Sequence, residues 1–214
     1  KLRSDFKIIY MSTINIETSK NEKIFWEKSK KNILSDFTTI DKINFWKHQF
    51  PNSDEKKINQ YYRKAKLLLR HQIILHLKEK FNDKFILTGS DWSKLSIECK
   101  ESNYSIKQNK EMYRGNICLD LGCIEGSSSL YSRSNQIIES GGLIVQTNQL
   151  DYSDKWKDLS GKILFNNFEN LDFILHKIFN DHEYANNLLN EIYENFSNTK
   201  KLMENSLDKV IDYK

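Results

Sequence analysis

One proline, Pro51, serves 214 residues, and no stretch rich in Pro, Gly or Ser divides them. A flexible linker between two domains is therefore not expected, and residues 1–214 read as a single domain with one ordinary core. No internal repeat is visible, which excludes a solenoid or propeller. No apolar run approaches the roughly 18 residues of a membrane span, and no signal-peptide pattern is recognisable. The three cysteines, Cys99, Cys118 and Cys123, are odd in number. With Cys118 inside an apolar run, they read as reduced thiols of a cytoplasmic protein rather than a disulfide framework. His71 and His76 sit five residues apart, and His48, His176 and His182 are scattered, so no metal site is expected. The chain begins at Lys1 without a methionine, and we expect a piece of a longer protein.

What is present is a globular composition, 38% hydrophobic and 29% charged, with a net charge of +4. Lys, Asn and Ile are all abundant, so the charge reads as a solvated lysine surface and not as a nucleic-acid site. Short apolar runs read as strands at Lys7–Met11, Phe85–Leu87, Asn116–Leu121, Leu143–Gln146 and Lys162–Phe165. Asn52–Phe81 repeats apolar residues at helical spacing, with Asn52 as the expected cap. Residues 21–50 read as aromatic-packed helical material, an insertion at the periphery after the first strand. Ser90–Lys110 reads as irregular. A helix is expected over Ser128–Ser140, and a helical tail from Phe168 in three pieces: 168–179, 184–196 and 199–213. Strands alternating with helices predict an α/β fold, a Rossmann-like parallel sheet with helices on both faces.

The stretch Asn116–Gln146 is the most informative. It reads as strand, tight loop, helix, glycine stop and strand. A small-residue loop that opens a helix suits phosphate, because the first turn offers unpaired backbone N–H groups and partial positive charge. Ser127, Ser128 and Ser129 add hydroxyls there. Arg133, one turn in, offers a planar pair of donors. Gly141 and Gly142 end the helix where a left-handed residue is needed.

The segment Ser129–Gly142, SLYSRSNQIIESGG, followed by the strand LIVQ, resembles the C-terminal, donor-binding half of a GT-B glycosyltransferase. The likeness is to the group 1 and CgeB-like relatives, which show Arg-x-x-Glu-Ile/Leu-x-x-x-Gly-Gly here. Upstream, LLLRHQIILHLKEKF and FILTGSDW look like that family's helix and its strand ending in Gly-x-x-Trp. Downstream, ILFNNFENLDFILHKIFND looks like its short strand and following helix. The resemblance covers roughly residues 66–196. It implies a nucleotide-diphosphate sugar as donor substrate, no bound cofactor, and an unknown acceptor held by a further, N-terminal domain. It implies donor contacts from Ser127, Ser128, Ser129, Tyr131, Arg133, Gln136, Gly89 and Tyr104. No Asp-x-Asp pair is present, which suits metal-independent chemistry. Ser128 and Gln136 stand where retaining relatives carry two glutamates. Gln136 can hydrogen-bond a ribose hydroxyl but supplies no charge.

Two alternatives stay open. The sequence LDLGC imitates the methyl-donor loop of S-adenosylmethionine-dependent methyltransferases. Against it, Ile124 replaces a close glycine, Thr147, Asn148 and Gln149 replace the acidic strand end, and only about one strand follows Gln146. The other alternative is a non-catalytic interaction domain. Read singly, Arg133 and Gln136 are ordinary helix-surface residues, Tyr131 is core, Asp120 caps a loop, and Gly89 and Trp92 shape a turn.

Overall fold

The computed structural model describes residues 1–14, 16–100, 105–122, 132–149, 152 and 156–211, with side chains through 198. The strands are β1 (Ile8–Met11), β2 (Phe85–Thr88), β3 (Ile117–Asp120), β4 (Leu143–Thr147) and β5 (Leu164–Phe165). All pairings are parallel, in the order β2-β1-β3-β4-β5. Every residue of β1, β3 and β4 is buried. A parallel sheet covered on both faces selects unbroken apolar runs rather than alternation. The result is a Rossmann-like α/β fold with helices around the sheet.

The helices are α1 (Lys20–Ser35), α2 (Ile43–Gln49), α3 (Glu55–Phe81), α4 (Ile106–Tyr113), α5 (Ser132–Glu139), α6 (Ser160–Ile163), α7 (Phe168–Asn180) and α8 (His182–Ile211). Ser19 and Glu22 close a reciprocal capping box on α1. The cap of α3 is Asp54, which accepts from the Lys57 N–H at 2.8 Å, and not the expected Asn52. Ser53 N–H bonds back to the Phe50 carbonyl, so Asn52 is spent in a turn whose second residue is Pro51.

Three further expectations are corrected. The segment Ser90–Lys110 is not wholly irregular: a 3-10 turn spans Trp92–Leu95, and Ser105 caps α4 by accepting from Gln108 N–H. Ser-x-x-Gln is a capping pattern in plain view. The fifth strand holds only Leu164 and Phe165, since Ser160–Ile163 winds into α6; an unbroken apolar run does not distinguish the two by itself. Residues 182–211 form one helix, because no proline or glycine interrupts them.

The helical segment after β1 packs deeply. Phe25, Trp46, Phe50 and Tyr61 form an aromatic cluster against α3. The 3-10 turn Phe37–Asp41 crosses to the far edge of the sheet, where Phe37 meets Phe165 and Phe168 and its N–H bonds the Asn166 carbonyl at 2.5 Å. Among the described residues, no helix is long and apolar enough to cross a membrane.

Candidate functional site

β1 pairs with β2 along its whole length, from Ile8↔Phe85 to Met11↔Thr88. With β3 it pairs only at Ile8↔Ile117 and Ile9↔Cys118. The two strands therefore part toward their carboxyl ends. The chain order reverses at the same place, running outward from β1 to β2 and returning to β3. Ligand crevices of open parallel sheets form at such switch points.

A cleft of about 400 Å³ opens there. The carboxyl end of β1 contributes Met11, Ser12 and Thr13, and α4 contributes Asn109 and Tyr113. Arg133 and Gln136, one helical turn apart on α5, line it together. Arg70 reaches it from α3. Among the described residues lining the cleft there are two arginines and no carboxylate. Burial pushes the Tyr113 phenol up to about 12, against the opposing pull of the nearby Arg133 charge. Tyr113 is thus a neutral hydroxyl on a positively charged cleft.

The neighbour of Arg133 on α5 explains why this helix is held still. Ser134 is fully buried and donates its hydroxyl to the Asp120 carboxylate at the end of β3. Asp120 also accepts from Gly122 N–H at 3.0 Å and from Gln146 Nε2 at 3.2 Å. Gln146, on β4, in turn accepts from Trp156 Nε1 at 2.8 Å. Each member of this buried network is satisfied, so it fixes the rotation of α5 and with it the face that carries Arg133 and Gln136. At the other end of α5, Gly141 N–H bonds the Ile138 carbonyl and Gly142 N–H bonds the Ile137 carbonyl. Gly141 takes the left-handed conformation at φ +77°.

Arg70 is 8% exposed and donates to the Gly122 carbonyl. One turn earlier on α3, Lys66 pairs with Asp41 at 3.0 Å, and Tyr62 donates to the same carboxylate oxygen at 2.9 Å. The two cations and Asp41 line a small neighbouring pocket.

Of the residues expected at the site, the structure brings Arg133 and Gln136 together. Ser127, Ser128, Ser129, Tyr131 and Tyr104 lie outside the described residues. Gly89 does not line the cleft. Its φ is +142°, and a Cβ there would come within 1.9 Å of the Ser12 carbonyl oxygen, which also accepts from Trp92 Nε1 at 2.6 Å. Gly89 and Trp92 thus clamp the end of β1, and Ser12 is the cleft residue they position. Asp120 caps its loop, as one reading of the sequence held. Gly122 lies under the Gln149 carboxamide, 1.8 Å from where a Cβ would stand, so its bare face is already covered. The sequence signal for Arg70 is that Lys66 and Arg70 are cations within the otherwise apolar stripe of α3. Among the described residues, no three His, Cys, Asp or Glu side chains gather to hold a metal ion. No protein-family model matches the chain, and neither a curated protein nor a solved structure is significantly similar to it.

Proposed function

We propose that the cleft binds the diphosphate of a nucleotide sugar, and that this domain is the donor-binding part of a GT-B type glycosyltransferase. The observation that supports it is the pairing of Arg133 and Arg70 in a switch-point cleft lined, among the described residues, by no carboxylate. Two guanidinium groups match two phosphates in charge and in planar donor geometry. In sugar transfer the diphosphate departs with its charge unshared, and fixed cations lower the barrier by stabilising it. Gln136 presents donors and an acceptor to ribose hydroxyls. Tyr113, neutral at any working pH, adds a hydroxyl without opposing the anion. Transfer itself would need an acceptor and an acceptor-side base from a further domain.

For the methyltransferase reading, Gly122 of LDLGC is packed against Gln149, and the rest of that loop lies outside the described residues. A thermal-shift and calorimetric panel of UDP, GDP and S-adenosylhomocysteine tests the proposal. A ligand that binds only the folded chain raises its melting temperature by mass action. UDP or GDP should do so, and Arg133→Ala should weaken the effect. Stabilisation by S-adenosylhomocysteine alone, or by none of the three, would overturn the reading.

A further inference from the structure

A second pocket, of about 270 Å³, opens beyond the carboxyl ends of β4 and β5. It differs from the cleft in chemistry. Asn148 follows β4, Asn166 follows β5, and Asn170 lies in the first turn of α7. Ser160 and Gly161 of α6 complete the polar part, and no charged side chain lines it among the described residues. Phe173, one turn beyond Asn170, is 65% exposed at this pocket. Leu164 and Ile174 add apolar surface beneath. Among the described residues the buried Asn148 Oδ1 makes no hydrogen bond; Asn148 also lines the smaller pocket beside Lys66 and Arg70.

We propose that this pocket binds an uncharged, hydroxyl-rich ligand, by class a saccharide. Each carboxamide offers two donors and an acceptor, the complement of neighbouring ring hydroxyls, which both donate and accept. A lining without charge gives no counter-ion to a phosphate, carboxylate or ammonium group, whose desolvation would go uncompensated. The exposed phenyl ring offers a flat apolar face to the C–H side of a sugar ring, while the amides take its hydroxyl edge. Asn170, Phe173 and Ile174 share one face of α7 at helical spacing, so amide and ring are presented together. The proposal does not rest on the nucleotide reading, since the pocket and the cleft have no lining residue in common.

Calorimetric or NMR titration of the full chain with glucose, galactose, N-acetylglucosamine and maltotriose is the test. At least one should bind saturably. Phe173→Ala removes only an exposed ring and should weaken that binding about fivefold. Gly161→Trp should abolish it by filling the space. A Cβ at Gly161 meets nothing within 4 Å, so the substitution starts without a backbone clash, and an unchanged melting temperature confirms that the variant is folded. Arg133→Ala should leave saccharide binding unchanged while weakening UDP or GDP. Absence of binding for all four sugars, or binding that survives both pocket variants, overturns the proposal and leaves the nucleotide reading standing on its own test.

Discussion

Arg133 and Ser134 are adjacent in sequence and belong to opposite worlds. Ser134 is sealed in a network with Asp120, Gln146 and Trp156, where each polar group has its partner inside the protein. Arg133 lines an open cleft whose described lining holds a second arginine and no carboxylate. The first region spends its polarity on holding the scaffold, and the second presents it outward. A buried group with every bond made has nothing left for a ligand, whereas two guanidinium groups lining one crevice give it a positive character that suits an anion. The contrast separates scaffold from candidate site on physical grounds alone.

The strongest way to break this comparison is Asp120→Ala. It strips three donors of their acceptor in a dry interior and should cost about 3 kcal/mol or more, read as a lowered denaturant midpoint. If it instead left stability intact and abolished ligand binding, scaffold and site would have to be exchanged. Next comes Arg133→Ala, which should lower nucleoside-diphosphate affinity by about 10- to 100-fold, the worth of a charge-assisted bond. Its stability should stay within about 0.5 kcal/mol of wild type. Gln136→Ala should weaken the same binding about fivefold, as the loss of one neutral hydrogen bond does; equal affinities would remove Gln136 from the site.

The smallest effect lies outside both regions and serves as a control. Asp172 on α7 bridges His76 at 2.7 Å and Lys80 at 3.0 Å on α3. Burial pushes its carboxyl up, but the bonds from His76 and Lys80 outweigh that and hold it below its ordinary value. A depressed carboxyl contributes stability above its unfolded pKa of about 3.9 and loses it as pH falls through the lower folded value. Asp172→Asn should therefore melt lower than wild type at neutral pH, with the gap closing in acid. Thermal melts across pH on both proteins check the sign, and ligand affinity at neutral pH should not move.

Much of this was legible in the residues. The five strands stood out because a two-sided sheet demands unbroken apolar runs, and each run stops at a polar residue or a turn. Gly141 was legible because a helix stop of this kind needs a positive φ. That Arg133 and Gln136 line one surface together was legible because they share a helix face. Arg70 was not, since its meaning depends on how α3 is rotated against β3, which periodicity along one helix cannot give. Gly89 misled for a similar reason: a glycine at a strand end serves a close-passing backbone as well as a ligand, and Ser12 lies well upstream in the chain. The cap of α3 moved two residues because Pro51 drew Asn52 into a turn.

The placement of β1 has a consequence in time. During synthesis it emerges before both strands that flank it, and Ile8 waits for Phe85 on one side and Ile117 on the other. Until then an apolar segment with two bare edges is exposed to other chains, the state most prone to aggregation. The aromatic cluster of Phe25, Trp46, Phe50 and Tyr61 draws only on residues that emerge before β2. It can condense first and withdraw its own rings from other chains. Nascent chains halted before β2 should then be rescued or lost according to whether Trp46 is intact.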